Sequence, residues 1–143
     1  IVILGILASV AVPKLLGVKN SAEEGIVKSF VGSLNTTVAP AKWSQSLMDG
    51  ANGSIKTSTY NLSTADSDFP TGFTVLTTGT ALCLAHGATV TPSATTAVMS
   101  GTVGSKTFFV LCADGNTTNP PEFWYTDKTA AVTFPTTGIA LKL

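Results

Sequence analysis

The residues that can do chemistry in this 143-residue chain are few and scattered. The single histidine, His86, follows Cys83 as Cys-Leu-Ala-His. It lacks the second Cys and the direct Cys-His pairing of haem attachment, so beside Gly87 it reads as a turn residue. One His and two Cys are too few for a protein-built zinc site. Asp66-Ser67-Asp68 offers two carboxylates to a calcium ion but lacks the further Asp/Asn, Gly and Glu of a calcium loop, and reads as solvated. Gly101-Thr-Val-Gly-Ser-Lys-Thr107 echoes a phosphate loop with the wrong spacing. Phe108-Phe-Val-Leu111 then continues as a strand where a helix N-terminus should cradle phosphate. There is no Gly-x-Ser-x-Gly, and a lone His without a Ser and an acid placed around it makes no triad. No catalytic residue, metal site or cofactor is expected, and the chain is not read as an enzyme.

Three other features carry chemistry of a different kind. Cys83 (Ala-Leu-Cys-Leu-Ala) and Cys112 (Val-Leu-Cys-Ala) lie in strand-like runs, and with two Cys a bridge has one connectivity. The bridge would contribute about 3–4 kcal/mol on chain-entropy grounds. The competing reading is a pair of buried thiols in a reducing compartment; an apolar N-terminus that argues for export favours the bridge. Phe123-Trp124-Tyr125 can form a binding face or, as we expect, pack alternate rings on a helix. Asn-x-Ser/Thr tripeptides begin at Asn35, Asn52, Asn61 and Asn116. Asn35 lies in a predicted helix and is discounted. Asn116 stands in a predicted turn with Asp114 two residues before it, the extended acceptor pattern of bacterial N-glycosylation, and is a candidate modification site.

The composition suits a structural rather than a catalytic role. Asp, Glu, Lys and Arg make up 11% of the chain, against about 25% in an ordinary soluble domain. There is no Arg, and eight Lys cancel eight acidic residues, so no specific nucleic-acid binding is expected. With 44% hydrophobic residues the chain is not a disordered tail. The 23 Thr and 13 Ser make much of the surface hydroxyl rather than charged. This points to an exported or assembled protein of one domain.

The N-terminal segment contains no charge before Lys14. A helix over its first twelve residues spans about 18 Å, short of the roughly 30 Å hydrocarbon core of a bilayer. The chain opens on Ile with no Met, and the apolar run is expected to begin upstream. A secretory h-region and a core helix are alternatives, but no cleavage site is visible and core helices are seldom apolar on every face. After Pro13 the pattern becomes amphipathic. Ile26, Phe30, Leu34 and Val38 are spaced by four, with Val27, Val31 and Ala41 at further helical intervals. Glu24 and Lys28 form an i,i+4 pair, and Asp49-Gly50 is a stop.

The spacing therefore predicts one helix over 1–50, with an apolar half (1–17) that projects and an amphipathic half (18–50). Pro13 and Pro40 should kink it, and Gly5 should weaken it. Residues 51–143 read as a polar connecting loop to Pro70 and a Thr-rich antiparallel β domain. Strands are expected at 72–78, 81–85, 97–103, 106–113, 123–126, 130–134 and 139–143, with a hairpin at Gly104-Ser105. The fold class is α+β, a sheet lying on the C-terminal half of the helix.

The segment Ile1-Val-Ile-Leu-Gly-Ile-Leu-Ala-Ser-Val-Ala-Val-Pro-Lys-Leu-Leu16 closely resembles the N-terminal helix of bacterial type IV pilins and pseudopilins. The likeness covers about the first 30 residues; beyond them only the outline of a Thr-rich β domain with a Cys pair matches. The resemblance implies the pilin fold and a precursor cleaved by a prepilin peptidase at the inner membrane. The methylated first residue and the Glu that follows it in the family lie upstream of Ile1. It also implies assembly through Ile1, Val2, Ile3, Leu4, Gly5, Ile6, Leu7, Val10, Val12 and Pro13, with helicity lost between Gly5 and Pro13. The expected partners are other copies of the chain in a helical filament, inner-membrane lipid before assembly, and the pilus assembly machinery. The expected function is the major subunit of a type IV pilus on a bacterial surface. A major pseudopilin of a type II secretion system is the alternative, suggested by Val12-Pro-Lys-Leu-Leu-Gly17. A membrane-anchored adhesive module using Phe123–Tyr125 is a further one.

Overall fold

The computed structural model describes residues 18–19, 21–56, 62, 68–76, 83–134 and 142. The apolar residues Ile1 to Pro13, with the breaks expected at Gly5 and Pro13, lie outside them. So do 57–61 and 63–67 of the connecting loop, Asn61 among them, and all of 139–143 except Lys142.

Helical backbone is present at 18–19 and runs continuously from 21 to 48, here called α1. Its buried stripe is Val27, Phe30, Val31, Leu34 and Val38. Two residues of the expected stripe are displaced. Ile26 is 50% exposed whereas Val27 is fully buried, and Ala41 is exposed whereas Ala39 and Ser46 are buried. The second displacement has a backbone cause. Residues Leu34–Val38 form a π-helical turn, closed by Ala39 N–H donating to the Leu34 carbonyl. A π turn inserts about one extra residue, so every later position is rotated on the helix surface. Pro40 follows at once, at the start of the α-helical stretch Ala39–Met48. It has no N–H to donate, and the widened turn is where that missing bond falls. The Thr36 and Thr37 hydroxyls donate back to the carbonyls of Gly32 and Ser33 at 2.7–3.2 Å, inside the same turn. The helix ends at Met48, and Gly50 reverses the chain at φ 75°.

The sheet against α1 is four-stranded and antiparallel, in the order β1 (Phe73–Val75), β3 (Met99–Val103), β4 (Lys106–Ala113), β5 (Glu122–Thr126). Gly104 and Ser105 close the β3–β4 hairpin, with Val103 opposite Lys106 and Gly104 at φ 65°. Alternation along β4 and β5 sends Phe108, Val110, Cys112, Phe123 and Tyr125 into the core shared with the helix. Leu111, Ala113 and Trp124 face the other way. That second face is covered by an antiparallel ribbon of β2 (Thr89–Val90) and β6 (Val132–Thr133), with Phe134 stacked on Trp124 at 5.1 Å. The architecture is thus three layers: helix, sheet and ribbon. The unbroken apolar run of β4 belongs to a strand buried on both faces, and each fully buried large side chain contributes about 1.5–3 kcal/mol.

Both ends of the sheet are tied down. Cys83 is bonded to Cys112, with Cα atoms 4.5 Å apart, and Leu84 lies parallel to Ala113 where β3 has ended. The free edge of β5 is met by Lys142, bridged to Tyr125, and by Asn35 of the π turn.

Candidate functional surface

Asn35 is a residue whose role the sequence hid. Its Nδ2 donates to the Phe123 carbonyl and its Oδ1 accepts from the Phe123 N–H, both at 2.8 Å. The amide therefore pairs with the strand edge as a neighbouring strand's peptide would. A lone Asn in a helical stretch carries no pattern that announces this.

A second junction holds the helix end to the sheet. Asp114, just after β4, accepts from the Ser54 hydroxyl at 2.6 Å and from the Ile55 N–H at 2.8 Å, one carboxylate oxygen each. Ser46 donates to the Ser54 carbonyl at 2.7 Å, and the Trp43 indole N–H donates to the Asn116 carbonyl at 2.8 Å. Gly53 and Gly115 bring two backbones together here, and a Cβ on either would collide with the opposite chain. Asp114 is thus a structural anchor as well as part of the Asn116 sequence pattern.

A third junction is ionic. Glu24 does not pair with Lys28; its Oε1 receives Lys142 Nζ at 2.8 Å and the Tyr125 hydroxyl at 3.3 Å. Lys142 also lies 3.7 Å from Asp127, which takes Lys106 at 3.3 Å. The Lys142 hydrogen bond and charge hold Glu24 below the usual carboxylate range. Burial works against ionisation of Asp127, yet the Lys106 hydrogen bond and the Lys142 charge bring it below that range too. The Glu24 hydrogen bond, ahead of the two acidic charges, raises Lys142. Burial, then the charge of Glu24, raises Tyr125. Glu23, next door, is buried against the β3–β4 turn with no hydrogen bond to either carboxylate oxygen among the described residues. Its nearest cation there is Lys19 at 3.9 Å. A Cβ at Gly104 would collide with its carboxylate.

The remaining sequence candidates fall as follows. His86 sits in a turn, edge-on to Trp124, with Nε2 buried and without a hydrogen bond among the described residues. Gly101 to Thr107 is the β3–β4 hairpin and has no helix to follow it. Phe123, Trp124 and Tyr125 are all at most 2% exposed, so they form no aromatic surface patch. Of the Asp66–Asp68 cluster only Asp68 lies among the described residues, and it is exposed. Among the described residues no group of His, Cys, Asp or Glu can hold a metal ion, and no helix is long and apolar enough to cross a membrane.

What the described part of the molecule presents outward is a helix face of small side chains. Ala22, Gly25, Ser29, Ser33, Thr36 and Pro40 are all exposed, at intervals of three and four. The upper part of this stripe borders an open groove of about 690 Å³, walled on the other side by Asp68, Phe69 and Pro70. Side chains this small let another helix approach closely.

No family model, curated protein or solved structure matches this chain.

Proposed function

We propose that this chain is the structural major subunit of a type IV pilus, a helical surface filament. The observation that carries the reading is the two-sidedness of α1, set behind the wholly apolar segment Ile1 to Pro13. One face of the helix is consumed by its own sheet, and the opposite face is a stripe of small residues left uncovered by the described residues. In the bilayer lipid solvates the apolar segment; in the fibre, copies of the same segment replace the lipid. Head-to-tail helical contacts do not close, so assembly continues without limit. The hydroxyl-rich β domain then forms the outside and the lateral contacts. In this role the protein needs no catalytic group.

The test is electron microscopy of sheared cell-surface material, with mass spectrometry to identify the chain. Long fibres made mainly of this protein are expected. Retention of the protein in the envelope, with no fibre containing it, refutes the proposal. Gly5→Asp should abolish the fibres, because an unpaired charge buried among packed helices costs several kcal/mol.

A further inference from the structure

We infer that Asn116 is an N-glycan acceptor on the folded chain, presented by the turn it forms with Thr118 and Asn119. Four tripeptides fit the acceptor pattern, and the fold distinguishes the three that it describes. At Asn35 both amide atoms are committed to the Phe123 backbone. At Asn52 the Ser54 hydroxyl, which should serve the acceptor amide, is donated to Asp114 instead. Asn116 is exposed in an exposed stretch from 116 to 120. Its Oδ1 accepts three hydrogen bonds, from the Thr118 N–H, the Thr118 hydroxyl and the Asn119 N–H, each at 2.8 Å. Its Nδ2 makes none among the described residues. The turn is closed from the other side by Asn116 N–H donating to the Asn119 carbonyl at 2.9 Å.

This arrangement favours the chemistry. An amide nitrogen is a poor nucleophile until it loses a proton, whereupon negative charge gathers on the carbonyl oxygen. Three donors preset on Oδ1 stabilise that charge before the transferase arrives. Nδ2 then forms a bond to C1 of a sugar carried on a diphosphate. The C1–O bond to the phosphate breaks, the leaving diphosphate keeps the electron pair, and the Nδ2 proton passes to a base of the transferase. Asp114, two residues earlier, is half-buried, its two oxygens accepting from the Ser54 hydroxyl and the Ile55 N–H.

The experiment takes the folded, oxidised chain with Asn61→Gln, so that only described sites compete. It is incubated with UDP-glucose and a purified transferase that reads Asn-x-Thr, then analysed by intact mass and peptide mapping. One hexose on Asn116 is expected. Thr118→Val should reduce labelling at least about tenfold, the effect of losing a hydrogen bond to a charged group, while the thermal midpoint stays within a few degrees. No added mass, a hexose on Asn52, or full labelling of the Thr118→Val chain overturns the inference.

Discussion

Replacing Asn35 by Ala removes both hydrogen bonds between α1 and the edge of β5 and leaves the Phe123 N–H and C=O unpaired. Phe123 is fully buried, and the Asn35 contacts are part-buried. A backbone group stranded in such a place costs about 1–3 kcal/mol, and partial access to water holds the pair near the lower end, about 2–4 kcal/mol together. At the usual unfolding entropy per residue, a chain of this length loses roughly 3 °C of melting temperature per kcal/mol, so a fall of about 6–12 °C is expected. Asn35→Asp separates the clamp from general damage to the helix. In its ionised form the introduced carboxyl accepts from Phe123 N–H but faces the Phe123 carbonyl with negative charge. In its neutral form it can donate to one group and accept from the other, as the amide does. The pKa of the introduced carboxyl is therefore raised on folding, and the deficit of this variant against the parent at the same pH should be large near pH 7 and shrink below about pH 4. Thermal unfolding followed by near-ultraviolet circular dichroism measures both. A midpoint for Asn35→Ala within about 2 °C of the parent, or an Asn35→Asp deficit independent of pH, would refute the clamp.

Three further outcomes follow from features described above. Reducing the Cys83–Cys112 bond, or replacing both residues by Ala, should cost about 3–4 kcal/mol for a closed loop of this size; an unchanged melting midpoint in reductant argues against that contribution. Gly104→Ala should cost about 2–3 kcal/mol, since the backbone is left-handed there and the methyl meets the Glu23 carboxylate. In a Glu23→Ala background the steric part should vanish, and an additive double-mutant cycle would disprove the contact. The Glu24–Lys142–Asp127 network should shape both edges of the pH-stability curve. The lowered carboxylates stabilise above their ordinary range near pH 4 and lose this as pH falls through their folded values. The raised Lys142 and Tyr125 stabilise below about pH 10 and lose this as pH rises through theirs. Lys142→Met should flatten the acid edge, by no more than about 1 kcal/mol because the groups are partly exposed. Urea titrations across pH in which parent and variant run parallel would remove the network from the account.

Much of the fold is legible in the residues. The four-residue spacing from Phe30 to Val38 marks the buried stripe, Gly104-Ser105 marks the hairpin, and the run from Lys106 to Ala113 coincides with β4 to the residue. The stripe beyond Val38 is misread because periodicity assumes an unbroken α-helix, and the π turn at Leu34–Val38 shifts the phase by one residue. Pro40 signals a disturbance without saying what form it takes. Of the ribbon, β6 falls inside the strand expected at 130–134, whereas β2 is two residues long, too short for an alternation to register. At the site the limits are different. Asn35 acts on backbone groups 88 residues away, and Asp114 on a backbone N–H and a hydroxyl about 60 residues away, and no local pattern encodes a partner at such a distance. Both even stand inside sequence patterns that suggest another role. The apolar segment Ile1 to Pro13 and its likeness to pilins come from the sequence alone.

The sealing of β5 bears on how the protein behaves when crowded. A strand edge with open N–H and C=O groups is a template on which a stranger's strand can add, and that route ends in cross-β aggregates. Here the outward groups of Phe123 are taken by a side-chain amide, Tyr125 is bridged by Lys142, and the opposite edge strand, β1, is three residues long. In the filament proposed above, copies held side by side would meet such templates constantly if they were open. With β5 sealed and β1 short, strand addition is disfavoured, and contact between copies is left to helix faces and hydroxyl-bearing loops. On that proposal, polymerisation and aggregation would draw on different surfaces of the same molecule.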